Sequence, residues 1–158
     1  MNDDKLLEFA RDSNLIERVD DERADLAHAA ALKKLLAQED VRIEHLDEFV
    51  KGVEPQAFLR TAPGQDVAIG GRLGLDPLQV TQALRDLLAD IQCHHVGPWE
   101  AHARYEAIHP FIDCNGRSGR ALWLWQMMWV EESGWDFQFG FLHFWYYQSL
   151  SFYSDLGR

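Results

Sequence analysis

His109-Pro110-Phe111-Ile112-Asp113-Cys114-Asn115-Gly116-Arg117-Ser118-Gly119-Arg120 runs directly into Ala121-Leu122-Trp123-Leu124-Trp125-Gln126-Met127-Met128-Trp129-Val130-Glu131. The second run is almost all helix formers and large apolar side chains, so it reads as a buried helix. The first run packs an imidazole, a carboxylate, an amide, two glycines and two guanidiniums into the loop entering that helix. The start of a helix offers free N–H groups and the positive end of the dipole, which together suit a phosphate.

Spacing sharpens this. Arg117 and Arg120 are three apart and share a helical face. Two forked guanidiniums beside open amides suit a di- or triphosphate. Gly116 removes a side chain where backbone must approach a ligand. Asn115 offers an amide donor, and Asp113 a carboxylate for Mg²⁺ that is also bound by phosphate oxygens. His109 is suited to act as a general base near neutral pH, and Pro110 after it favours an extended backbone at His109. Singly, each has an ordinary role: Asp113 as a helix cap, Arg120 at the surface, His109 as a structural imidazole. Together, at this spacing, they point to phosphate chemistry.

Outward from the loop the chain reads as helices. Residues 3–12 carry Leu6, Leu7, Phe9 and Ala10 on one side, with Ser13 as a cap or restart. Residues 22–38 repeat apolar positions at Leu26, Ala29, Ala30, Leu32, Leu35 and Leu36. A short helix over 43–50 ends near Gly52 and Pro55. Phe58-Leu59 and Val67-Ala68-Ile69 flank Pro63-Gly64, which predicts a β-hairpin, the one good strand candidate. Asp76-Pro77 opens a helix to about Cys93, and Pro98 opens another to about Ile108. Gly134 breaks the Trp-rich helix, and an aromatic helix follows from about 139 to 153. The expected fold class is all-α with one hairpin. Trp123, Trp125, Trp129, Trp135 and Trp145 read mainly as core.

Composition sets the frame. The 158 residues suffice for one domain with a real core, and 47% apolar with 26% charged residues fits an ordered globule. A net charge of −11 argues against nucleic acid or an anionic membrane as partner. Cys93 and Cys114 form no CxxC and no secretory framework, and the acidic N-terminus does not resemble a signal peptide. The longest apolar run, Ala121 to Val130, is too short to span a bilayer. The expectation is a soluble protein of the reducing cytoplasm.

The twelve-residue loop resembles the signature of the Fic domain family, HPFx[D/E]GNGRxxR. Every fixed position agrees except Cys114, where the family usually has glycine. Phe58-Leu59-Arg60-Thr61 with Ile69-Gly70-Gly71 looks like the family's flap hairpin, and Tyr146-Tyr147 like its nucleotide-side aromatics. The resemblance implies a single domain over 1–158: a Fic-type helical bundle with one short flap, regulatory helices at about 1–40 and a core at about 57–152.

By that match the protein would be a protein adenylyltransferase, moving AMP from ATP to a Ser, Thr or Tyr hydroxyl. His109 would take the hydroxyl proton and Asp113 would position Mg²⁺. Cys114, Asn115 and Gly116 would surround the α-phosphate, and Arg117 and Arg120 would grip the outer phosphates. Arg60, Thr61 and Ile69 of the flap would hold the target segment by strand addition, and a homodimer is also implied. Ser13-Asn14-Leu15-Ile16-Glu17 fits the first five positions of the family's inhibitory [S/T]xxxE[G/N], with Arg18 at the sixth. Glu17 would then pair with Arg120 and exclude the γ-phosphate.

Alternatives stay open: a non-catalytic nucleotide-binding regulator, transfer of another phosphate-containing group, or AMP removal with Glu17 orienting water. Cys114 is strained by about 1 kcal/mol if its position demands positive φ, and harmless otherwise. A low-pKa thiol at a helix N-terminus is a further reading.

Overall fold

The structure, a computed structural model, describes residues 1–69 and 72–130. Among these are six helices: α1 (Asp3–Ile16), α2 (Glu22–Leu36), α3 (Ile43–Val53), α4 (Pro77–Gln92), α5 (Pro98–Ile108) and α6 (Asn115–Val130). One strand pair, β1 (Ala68–Ile69) and β2 (Arg72–Leu73), lies between α3 and α4. The fold is all-α. The aromatic helix expected at about 139–153, with Trp135, Trp145, Tyr146 and Tyr147, lies outside the described residues.

Helix α6 organises the rest. Ala121 to Trp125 are all buried, so the middle of α6 is covered on every side rather than along one stripe, while Met128 and Trp129 are exposed. It packs against α5 and also meets α1, α2 and α3. Phe9, Leu32, Leu46, Leu84, Leu87, Tyr105, Phe111 and Trp123 fill the core between these helices. Trp123 lies against Trp99 with ring centroids 4.9 Å apart.

Helix starts follow local chemistry. Asn2 Oδ1 accepts from Lys5 N at 2.9 Å, Asp21 Oδ2 from Ala24 N at 3.1 Å and Asp76 Oδ1 from Leu78 N at 2.9 Å. Each satisfies an N–H that the first turn leaves open.

Two expectations change. Helix α1 does not stop at residue 12 but runs through Ser13 to Ile16, and Ser13 is wholly buried. Its extension is secured by polar contacts with α2. Asn14 Nδ2 donates to Asp25 Oδ1 at 2.8 Å, and Asn14 Oδ1 lies 3.0 Å from His28 Nδ1. Burial, with the charges of Arg120 and Arg117 adding to it, pushes His28 down to about 3, so it is neutral.

The hairpin also differs. Ala68 pairs with Leu73 and Ile69 with Arg72, so the strands that pair do not flank Pro63-Gly64. Leu59 pairs with Phe111 of the motif loop: Arg60 N donates to Pro110 O at 2.9 Å and Ile112 N to Phe58 O at 3.1 Å. The Pro63-Gly64 turn is real but local. Gln65 Oε1 accepts from Thr61 N and Ala62 N, and Gly64 takes φ 83°.

Helix α1 ends with Arg18 at φ 61°, the left-handed conformation that favours Gly or Asn. Arg18→Gly should therefore stabilise the protein by ~1 kcal/mol. Thermal unfolding should show a Tm higher by about 2–4 °C. No rise would mean that the Arg18 side chain makes compensating contacts.

Candidate active site

The site is built where α5 ends and α6 begins. His109 caps α5 with φ 50° and ψ 64°. It is left-handed, not extended as Pro110 had suggested. Arg60 holds it there: Nε donates to His109 O at 2.8 Å and Nη2 to Ile108 O at 2.9 Å, satisfying carbonyls at the helix end. His109 N also donates to Tyr105 O at 2.9 Å. Its Nδ1 lies 3.3 Å from Glu106 O. A carbonyl only accepts, so this contact places the proton on Nδ1 and leaves the Nε2 lone pair for chemistry. Burial lowers the His109 pKa, opposed by the Glu106 carbonyl; the Arg60 charge lowers it further, while Glu17 and Asp113 pull it up. The imidazole is therefore neutral at pH 7, the form a general base needs.

The loop from Phe111 to Asn115 is closed by the Asn115 side chain. Its Oδ1 accepts from Phe111 N and its Nδ2 donates to Phe111 O, both at 2.8 Å. The Asn115 side chain is buried and closes the loop, with its oxygen and one of its two amide hydrogens on backbone. Asp113 Oδ1 accepts from Cys114 N, which precedes α6, so it does not cap the helix; its side chain is 65% exposed and can reach a ligand.

Cys114 sits at φ 68°, so the position is one where glycine is unstrained. Its thiol is buried, and burial pushes it up to about 12, which removes the low-pKa thiol from consideration. Cys114 O accepts from Ser118 N at 2.9 Å and from Ser118 Oγ at 2.8 Å; that hydroxyl lies 2.7 Å from Tyr105 Oη.

The guanidiniums are buried, not at the surface. Arg120 is 1% exposed. Its Nε donates to Ser13 Oγ at 2.8 Å, and its Nη2 to Ser13 O at 3.0 Å and to Glu17 Oε1 at 2.7 Å. Arg117 Nη2 lies 3.4 Å from Glu54 Oε2 and 3.8 Å from Asp113 Oδ1. Gly116 shows where the Glu17 carboxylate rests: a Cβ there would stand 2.3 Å from Glu17 Oε1. Glu17 thus lies on the first turn of α6, where an anion is favoured. Gly119 serves packing, since a Cβ there would stand 2.6 Å from Glu106 Oε1 of α5.

An imidazole, a carboxylate and two guanidiniums thus converge on one helix tip, and residues 65–127 around them match the family model Fic/DOC family. Over that span the chain is similar to the Fic/DOC family. No curated protein matches it significantly. The matched span takes in β1, β2, α4, α5 and most of α6, while α1 to α3 lie upstream of it.

Of the expected flap residues, only two remain available. Arg60 is completely buried and donates to four carbonyls, those of Ile108, His109, Gln65 and Leu75. It is a brace beneath the motif, not a target contact, because its guanidinium never reaches solvent. Thr61 is exposed in the turn, and Ile69 lies half-buried in β1.

Sequence reasoning missed Glu54 and Glu106. Glu106 signals itself only by standing one helical turn before His109, with its Oε2 3.8 Å from His109 Nδ1. Glu54 has one sequence cue, the Pro55 that follows it.

Proposed function

We propose that the protein is an AMP transferase acting on a hydroxyl of a protein, held in check by Glu17. The observation that carries this is the convergence of a neutral His109 with Arg117 and Arg120 at the tip of α6. His109 Nε2 takes the proton of the target hydroxyl. The hydroxyl oxygen then bonds to the α-phosphorus of ATP, the bond from that phosphorus to the bridging oxygen breaks, and pyrophosphate leaves. Positioning and charge stabilisation do most of the work in such a displacement.

Magnesium fits the residues present. Asp113 uses one oxygen on Cys114 N and its side chain is largely exposed. Among the described residues, no group of three or more His, Cys, Asp or Glu is placed to hold a metal ion. One carboxylate plus phosphate oxygens is a usual Mg²⁺ environment, and Asp113 would be the protein ligand. When bound, the ion would neutralise charge on the phosphates. The target segment would run along the strand pair and the exposed Thr61 turn, pairing through backbone.

Glu17 occupies the place of an outer phosphate. Its carboxylate bonds Arg120 and covers Gly116, so ATP cannot use that guanidinium until Glu17 leaves. The reaction class is tested by incubating wild-type and Glu17→Gly protein, with Mg²⁺, with ATP labelled at the α- or the γ-phosphorus. Retained α-label without γ-label is expected. Retained γ-label would replace AMP transfer with phosphoryl transfer.

A further inference from the structure

Arg120 is not the only motif arginine met by a carboxylate from outside the motif. Glu54 ends α3. Its N–H donates to Val50 O at 2.7 Å and its carbonyl accepts from Ala57 N at 2.9 Å. Pro55 after it disfavours helical backbone, and Glu54 sits at φ −133°, ψ 87°. With its backbone pinned on both sides, the residue carries its carboxylate to Arg117 at 3.4 Å. That contact is long and the carboxylate is one-third exposed, whereas the Arg117 side chain is 7% exposed. Arg117 Nε is buried with no hydrogen-bond partner among the described residues. Asp113 Oδ1 stands farther off, 3.8 Å from the same nitrogen. A buried guanidinium with a donor to spare and only such long carboxylate contacts will exchange the Glu54 carboxylate for a better acceptor, and a phosphate group is one.

We propose that Glu54 is a second counter-carboxylate of this site, one that selects ligands by the length of their phosphate chain. Nucleoside di- and triphosphates must displace it from Arg117; a monophosphate, held at the tip of α6, need not. Glu54 is a positioning residue, since it acts through Arg117 and touches no reacting atom. Two carboxylates then guard two arginines, Glu17 from α1 and Glu54 from the end of α3. Removing Glu17 alone leaves the second in place. The proposal rests on nucleotide binding at α6 as given above.

The test is calorimetric titration of Glu17→Gly and of Glu17→Gly/Glu54→Gln with ADP and, separately, with AMP. The expected result is ADP affinity tightened about tenfold by Glu54→Gln with AMP affinity unchanged. Unchanged AMP affinity also reports an intact fold. Glu54→Ala should reproduce the split, because an introduced glutamine amide could itself donate to phosphate. Unchanged or weaker ADP binding, equal tightening of both ligands, or a split seen with glutamine but not alanine overturns the role of Glu54 alone. A Glu17→Gly protein that binds neither ADP nor AMP overturns the nucleotide site itself, and this proposal with it.

Discussion

Replacing His109 with alanine should lower AMP transfer by about 10²–10⁴-fold, the usual worth of a positioned general base, while leaving nucleotide affinity nearly unchanged. The separation follows from the geometry. The arginines that would hold phosphate stand on α6, whereas His109 closes α5 and is fixed by its own backbone contacts and by Arg60. The measurement is intact mass after ATP and Mg²⁺ for the Glu17→Gly protein with and without His109→Ala, alongside nucleotide titration of both. Equal gain of AMP in the alanine protein would remove His109 from the chemistry.

The pH profile adds a second readout. Burial holds the His109 pKa below the ordinary 6.5 of imidazole. The base form is therefore complete at neutral pH, and activity falls only as pH drops through the lowered pKa. Glu17 pulls that pKa upward, so in Glu17→Gly protein the acid limb should lie still lower.

How much of this was legible beforehand depends on the range of the interaction. Helix positions came from apolar spacing and from helix openers such as Asp76-Pro77 and Pro98, all local signals. The motif also declared its chemistry locally, since imidazole, carboxylate and guanidiniums occupy twelve adjacent positions. What failed was long-range or backbone-directed. Leu59 looked like half of a hairpin because its apolar neighbour suits a strand, but its partner is Phe111, far along the chain. Arg60 was expected to hold the target from the flap, yet carbonyls at the end of α5 and nearby loops consume its donors. Asn115 looked like a ligand donor, and its closure of the loop on Phe111 was not visible. Nothing in composition reveals which backbone group a side chain will satisfy.

Two departures from the patterns this sequence resembles share a backbone cause. Cys114 and Arg18 each stand where Gly, or Gly or Asn, is usual, and both have positive φ. The backbone demands of the pattern persist although the residues differ. Both positions adjoin the Glu17–Arg120 contact: one at the entry to α6, the other just after Glu17 itself.

Glu17→Gly should raise self-modification by at least about tenfold over wild type, the scale expected when a charged hydrogen bond competing with a ligand is lost. Three features set this direction. The Glu17 carboxylate is 2.7 Å from Arg120 Nη2, so it holds the donor that an outer phosphate needs. It lies against Gly116, so it also covers the backbone of the helix tip. And α1, which delivers it, is anchored through Asn14 to Asp25 and His28 of α2, so the carboxylate is presented by a fixed helix rather than a loose arm. The Glu17 side chain is 38% exposed, and solvent screening keeps the pair from being stronger than this. Glu17→Gln separates charge from shape: it should activate less than glycine, because the amide still covers Gly116 but no longer draws Arg120 as a carboxylate does. Ser13→Ala loses one Arg120 contact and keeps the carboxylate, so it should activate least. The series is read by α-labelled ATP and intact mass at equal protein concentration. A glycine protein no more modified than wild type would mean that Glu17 does not control access to Arg120, and that its place on the tip of α6 is structural.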